Sequence, residues 1–375
     1  MVDALQTRYQ EFISDCKIGD IGPGNRGVFA TKDIECNSLL LKLPMEHCYQ
    51  GNHLELTYRI MSLDNDYTRA LPPNLTDFPV FWTPGEVASL QNGSALAPMI
   101  ASRREKLLSE DAKKKALFLY YRTLVGSRAF TIDRANKDKL ALVPFADMLN
   151  HSNHGVNVDW KVCDDHFVLK TTTEVKAGEQ LFDSYGTKTN YENILFYGFT
   201  LPSSENLMND VTYEIFDVPA QLKKNLNYQY FSDNIEFELC GSYSRGTLEI
   251  FSLVRFLTCA NADESECPQS LNGFSCSVIS RANEATVCKV LSTAFKTIYT
   301  RKVKVLRFVK AKKVCDFVDT EVNVLLHWIA LLDNAVKILS ATKQKEAKKL
   351  VDTYAANDYY NQVVRKLVNQ SKQYK

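Results

Sequence analysis

The stretch Pro144-Phe145-Ala146-Asp147-Met148-Leu149-Asn150-His151-Ser152 is the least ordinary in this chain. An apolar run ends in three hydrogen-bonding side chains, Asn150, His151 and Ser152. Read alone, it is a strand running into a turn, because Asn and Ser favour turns. Its neighbours add to it. Residues 180–182 form a short apolar strand after the turn Ala177-Gly178-Glu179, and Asp183-Ser184-Tyr185-Gly186 follows. Twelve residues after Tyr185 comes Tyr197, in Phe196-Tyr197-Gly198-Phe199. Each tyrosine precedes a glycine, which suits close approach of backbone to a ligand. The plain alternative is aromatic core, for which 18 Tyr and 20 Phe are available.

Further out, residues 27–31 and 38–43 are short, apolar and bounded by turn residues, which predicts strands. Residues 156–160 alternate, as do 167–170, and Asp164-Asp165 between them is a hairpin turn. The chain is irregular around Pro72, Pro73, Pro79 and Pro84. A helix is predicted over 110–125, with Leu117, Tyr120, Tyr121, Leu124 and Val125 at helical spacing. The second half changes character: no Gly or Pro follows Gly273. Val322, Leu325, Leu326, Ile329, Leu332, Val336 and Leu339 make one apolar helical stripe. The C-terminal part therefore reads as mainly helical, with a boundary near residues 202–205.

The chain has 375 residues, 45% of them apolar, enough for two domains at roughly 100–200 residues each. Lys+Arg number 45 against 44 Asp+Glu, a net charge of +1. Such balance is not the footprint of a nucleic-acid-binding domain. The first residues do not form a signal peptide, and no run of 18 uncharged apolar residues predicts a membrane span. Ten cysteines are scattered without a Cys-x-x-Cys pair, which predicts reduced, mostly buried thiols and no metal site. The expectation is a cytoplasmic monomer, with the nucleus as a second compartment. The segment 296–313 carries eight Lys/Arg and no acid. It reads first as a solvated helix face with Val303, Leu306, Val309 and Val314 buried, and second as a dock for an acidic partner.

Gly22-Pro23-Gly24-Asn25-Arg26-Gly27 fits Gly-x-Gly-x-x-Gly. A dinucleotide site needs a strand before that motif and a helix after it. Here a strand follows, and Pro23 removes an N–H that a phosphate cradle would use. No Ser/His/Asp order or paired-carboxylate pattern suggests a hydrolase.

Taken together these pieces resemble a SET domain of the Rubisco large-subunit lysine methyltransferase type. The residues 25–34, Asn-Arg-Gly-Val-Phe-Ala-Thr-Lys-Asp-Ile, resemble the family's entry strand. Asp147 to Ser152 matches its D-x-x-N-H-S motif. Gly178-Glu179-Gln180 with Tyr185-Gly186, and Tyr197-Gly198-Phe199, match two more, and Ser127-Arg128-Ala129-Phe130 resembles a further signature.

The resemblance implies an α+β fold. A SET-domain β-fold over 1–204, with a helical insertion at roughly 45–125, would precede a helical substrate-binding domain over 205–375. It also implies S-adenosylmethionine as cofactor and a non-histone protein carrying a target lysine as substrate. The backbone around Arg26, Gly27 and Val28 would line the cofactor, as would Arg128, Asp147, Asn150, His151, Tyr197, Gly198 and Phe199. Arg128 would hold its methionine part. Tyr185 and Tyr197 would be catalytic, with Phe130 and Tyr185 along the substrate channel. Two rivals remain. One is histidine methylation on the same fold; the aromatics Phe130 and Tyr197 differ from the actin-histidine enzyme and favour lysine. The other is a non-catalytic binding module, against which the intact motif set argues.

Overall fold

The structure is a computed structural model that describes residues 2–22, 25–90, 94–110, 115–133, 135–224, 232–258, 278, 280–307, 309, 311–354 and 356–370. Its strands are β1 (Cys16–Gly22), β2 (Asn25–Ala30), β3 (Leu39–Pro44), β4 (Tyr49–Gly51), β5 (Phe130–Thr131) and β6 (Leu140–Leu142). There follow β7 (Asn150–His151), β8 (Val158–Cys163), β9 (His166–Thr171), β10 (Gln180–Asp183), β11 (Val211–Asp217) and β12 (Asn234–Cys240). The chain divides into two compact units.

The first unit comprises residues 1–82, 100–188 and 192–199. It holds three small sheets, ordered β1-β2-β10-β7, β3-β9-β8 and β4-β6-β5. β1 and β2 pair antiparallel, with Gly22 opposite Asn25. The Gly-rich motif therefore joins two strands, Pro23 and Gly24 themselves lying outside the described residues. That topology leaves no helix N-terminus for a dinucleotide phosphate. The predicted hairpin forms between β8 and β9, with Asp164 and Asp165 at φ +48° and +61°. Consecutive positive φ values make a type I′ turn, which Asp tolerates and which matches strand twist. Val28, Leu41, Leu43, Leu142, Leu169 and Leu181 are buried and join the sheets into one core.

Helical segments lie where an insertion was expected: His53–Met61, Asp66–Ala70, Leu96–Glu110 and Lys115–Arg128 among them. The predicted helix over 110–125 falls across the last two, and 111–114 lie outside the described residues. Leu124 and Val125 are buried as expected, but Leu117 is 53% exposed. It stands near the start of Lys115–Arg128, where a terminal turn has fewer neighbours to pack on.

The second unit comprises residues 83–99, 189–191 and 200–375. Two stretches that precede residue 200 thus cluster with the helical part. Lys313 pairs with Glu86 at 3.1 Å, and Ser94 Oγ donates to Glu321 at 3.0 Å. Asn190 donates to Leu201 O at 2.9 Å and to Asp210 Oδ2 at 2.8 Å. The long helices Arg245–Thr258, Arg281–Leu306 and Lys312–Ser340 dominate. Leu325, Ile329, Leu332 and Leu339 of the predicted stripe are core. Leu326 is not: at 40% exposure it faces solvent, since it stands one residue round from Leu325. Helix Lys312–Ser340 is long and apolar enough to cross a bilayer by composition, yet its apolar stripe is spent on this core.

A mainly helical reading missed the antiparallel pair β11 and β12. Half of the eight cations in the basic segment are paired, among the described residues, with acids of the same unit. Lys296 pairs with Asp333 at 2.8 Å and Arg301 with Asp217 at 3.3 Å. Lys302, 1% exposed, meets Glu214 at 2.9 Å and Glu321 at 3.1 Å. Only Val314 of the four predicted apolar positions is fully buried; Val303, Leu306 and Val309 are half-buried, because the helix turns Ile298 and Lys302 inward instead. Cys16, Cys48, Cys240 and Cys288 are buried free thiols, Cys163 and Cys315 half-buried and Cys36 exposed. Cys259, Cys267 and Cys276 lie outside the described residues.

Candidate functional site

The site is built by a parallel pairing. β7 lies against β10 with Asn150 beside Phe182 and His151 beside Asp183. Two motifs far apart in sequence thereby become adjacent strands. β10 also pairs with β2, placing Leu181 against Val28. The Asn150 side chain closes the third edge by donating Nδ2 to the Arg26 carbonyl at 2.7 Å. Asn157 pins β10 from outside: it accepts from Phe182 N at 2.8 Å and donates to Gln180 O at 3.0 Å. Between these strands Gly27 leaves room for the Gln180 side chain. A Cβ there would lie 2.2 Å from Gln180 Nε2 and 3.1 Å from Asn150 Nδ2. Val28 is fully buried and belongs to the core behind this edge. Arg26 spends its guanidinium on Ala70 O at 2.6 Å.

The turn into β7 is strained. Phe145 is buried with φ +75° and ψ −52°, a γ-turn geometry that bulky residues rarely take. It starts the short 3₁₀ turn Ala146–Met148, which sinks the Asp147 side chain to 0% exposure. Burial raises the pKa of that carboxyl, opposed by Arg128 and by a hydrogen bond from Tyr67. Arg128, at the end of helix Lys115–Arg128, donates Nη1 to Asp147 O at 2.7 Å. Tyr67 donates to Asp147 Oδ2 at 2.8 Å.

Four rings gather beside this turn. His151 stacks on Tyr185 with centroids 5.1 Å apart and planes at 20°. Tyr185 and Tyr197 lie 4.9 Å apart, and Phe199 stands 6.1 to 6.4 Å from all three. The Tyr185 hydroxyl donates to Leu149 O at 2.7 Å. Burial raises the pKa of both Tyr185 and Tyr197, so each keeps its proton at neutral pH. The Tyr197 ring already faces a cation, with Lys188 Nζ 5.8 Å from its centroid. Gly198 closes the helix that carries Tyr197, at φ +80°, and its N–H bonds Ile194 O at 3.2 Å.

The structure thus brings together Gly27, Asn150, His151, Tyr185, Tyr197 and Phe199, with Arg128 and Asp147 under the same turn. Phe130 is placed differently. Its ring meets Trp160 and Phe167, each at 5.1 Å, in a second aromatic cluster. Tyr67 was missed by sequence reasoning. Nothing local marks it, because its partner is 80 residues away.

Residues 25–186 match the family model of the SET domain. The chain is 27% identical over 271 residues to the ribulose-1,5 bisphosphate carboxylase/oxygenase large subunit N-methyltransferase, chloroplastic, of Nicotiana tabacum, covering 60% of this chain and 52% of that protein. It is 29% identical over 161 residues to N-lysine methyltransferase setd6 of Xenopus laevis, covering 35% of this chain and 34% of that one. The match spans about half the length of the tobacco relative. Among solved structures, the SET domain of LSMT bound to MeLysine and AdoHcy superposes with a TM-score of 0.59 at 20% identity, over 97% of this chain and 98% of that one. Fold and motifs agree: residues 25–186 are similar to a SET domain, and the fold is similar to that of the LSMT structures.

Proposed function

We propose that the chain is an S-adenosylmethionine-dependent protein-lysine N-methyltransferase acting on a non-histone protein. One observation carries the reading: the β7–β10 pairing sets His151 against Tyr185, with Tyr197 and Phe199 closing an aromatic cluster beside that turn. The matches to a relative named as a protein-subunit N-methyltransferase and to one named as an N-lysine methyltransferase support it.

The residues present fit the cofactor, which when bound supplies a methyl group on a sulfonium cation. Among the described residues, Arg128 donates only through Nη1, so Nε and Nη2 are left for a carboxylate. Aromatic faces stabilise a nearby cation by about 0.5–2 kcal/mol. The lack of a Cβ at Gly27 lets the Gln180 and Asn150 side chains pack against β2. Tyr185 is fixed by its bond to Leu149 O, and its lone pairs remain to orient an incoming amine. Neither tyrosine serves as a base, because both stay protonated. Their work is positioning, and orientation is worth about 7–11 kcal/mol in such displacements. A lysine must arrive neutral although its free pKa is about 10.4. Desolvation among these rings favours the neutral amine.

The test is calorimetry with S-adenosylmethionine, followed by incubation of the chain with labelled cofactor and a protein extract and by mass spectrometry. Methyl-lysine in a protein is the expected product. Methyl-histidine would move the reading to the rival activity, and no cofactor binding at millimolar concentration would overturn it.

A further inference from the structure

Tyr67 lies in the short helix Asp66–Ala70 and is 1% exposed. Its hydroxyl donates to Asp147 Oδ2 at 2.8 Å. The same oxygen stands 3.7 Å from Arg128 Nη1, too far for a hydrogen bond. The Nη1 group is turned to the main-chain carbonyl of Asp147, at 2.7 Å. The other carboxylate oxygen, Oδ1, is buried and has no hydrogen-bond partner. An Arg–carboxylate pair left to itself closes into two parallel bonds of roughly 2.7–2.9 Å. Here the pair stays open, with the carboxylate satisfied on one side by a phenol.

The phenol is held in place. The Tyr67 ring stacks on Tyr49 at 5.2 Å and 25°. The Tyr49 hydroxyl accepts from Asn65 Nδ2 at 2.9 Å, and Asn65 caps the helix that carries Tyr67. A buried carboxylate stripped of its only short side-chain donor must find another. The nearest is Arg128, and closing on Asp147 would consume the donors that now have no protein acceptor.

We infer that Tyr67 is a positioning residue for cofactor binding: by bonding Asp147 it keeps Arg128 out of a closed ion pair and free to take the carboxylate of the cofactor's amino-acid moiety. The inference rests on the cofactor reading of the site. It makes the effect of Tyr67 specific to one part of the ligand. S-adenosylmethionine has the carboxylate; 5′-methylthioadenosine keeps the adenosine and sulfur without it.

Both ligands are titrated into the wild type, Tyr67→Phe, Arg128→Ala and the double variant Tyr67→Phe/Asp147→Asn. Tyr67→Phe is expected to weaken S-adenosylmethionine at least tenfold and to leave methylthioadenosine within twofold. The double variant is expected to bind S-adenosylmethionine at least tenfold more tightly than Tyr67→Phe does, because no carboxylate is left to claim Arg128. A purely structural Tyr67 would weaken both ligands alike and show no rescue, and that result overturns the proposal. Should Tyr67→Phe fail to fold, the double variant is compared with Asp147→Asn alone: equal S-adenosylmethionine affinity supports the proposal, because Tyr67 then has no carboxylate to hold, and a further loss on adding Tyr67→Phe overturns it. Arg128→Ala separates the underlying reading. If it binds S-adenosylmethionine as the wild type does, or if the wild type binds none, the role given to Arg128 fails, and the proposal with it.

Discussion

The backbone N–H of Tyr185 donates to Nδ1 of His151 at 3.0 Å. An amide nitrogen can only donate, so Nδ1 must be the acceptor and the ring proton sits on Nε2. Nε2 in turn faces Asn153 Oδ1 at 3.1 Å. Nitrogen NMR on histidine-labelled protein at neutral pH is expected to show the Nε2–H tautomer for His151; an Nδ1–H signal would contradict the arrangement. His151→Ala removes the acceptor and the stacked face together. An unpaired buried donor costs about 1–3 kcal/mol, so a lower melting temperature and a turnover reduced at least tenfold are expected.

Tyr185→Phe is a narrower change. It keeps the ring against His151 and Tyr197 and deletes only the hydroxyl that bonds Leu149 O. An interaction made only in the reacting geometry lowers kcat and leaves ligand affinity nearly unchanged. Turnover at saturating cofactor is expected to fall ten- to a thousand-fold, about 1.4–4 kcal/mol. Because burial keeps the phenol protonated, the wild-type pH–rate profile should show no limb from Tyr185 ionisation near neutrality. Activity within about twofold of wild type would reduce Tyr185 to aromatic core.

What the sequence disclosed and what it hid divide along physical lines. Turn glycines and the Asp164-Asp165 hairpin were legible because their requirement is local: Gly178, Gly186 and Gly198 all take positive φ. The Asn150–Ser152 and Tyr185–Gly186 motifs were legible as signatures, but not their parallel pairing, since pattern does not specify which strand another strand joins. Tyr67 and Lys302 stayed hidden for the same reason. The hydroxyl of one is fixed by Asp147, and the charge of the other by Glu214 and Glu321, all distant in sequence. A basic run reads as solvated until a buried carboxylate is found beside it.

Two glycines with similar backbone angles should respond differently to alanine. Gly198 has φ +80°, and a Cβ there would come 2.9 Å from the buried Phe78 ring. Gly178 has φ +84° with nothing within 4 Å. Each substitution carries the left-handed penalty of roughly 1–2 kcal/mol. Only Gly198→Ala also displaces a core ring, between Tyr197 and Phe199. Denaturant unfolding is expected to show the larger loss for Gly198→Ala, and calorimetry a weakened cofactor affinity for that variant alone. Equal losses for both would mean Phe78 yields without cost.

Asp183 supplies a pH dependence with a definite sign. It sits beside His151 in the β7–β10 pairing, is 5% exposed, and accepts from Ser184 N at 2.8 Å. Burial, with Asp159 adding repulsion, raises its pKa from 3.8 to about 6. The folded state therefore prefers the protonated acid, while the unfolded chain ionises near its ordinary value. Between about pH 4 and 6 the unfolded state releases a proton that the folded state keeps, so stability falls as pH rises. Above that window both states are ionised, and the loss, on the order of 2–3 kcal/mol, is complete. Asp183→Asn keeps an oxygen for Ser184 N and removes the charge. The variant is expected to match wild type near pH 4 and to exceed it at pH 7.5 by about that amount. Unfolding midpoints in urea across this range give the comparison. A difference that stays flat with pH would show that Asp183 is ionised throughout and adequately solvated in the folded protein.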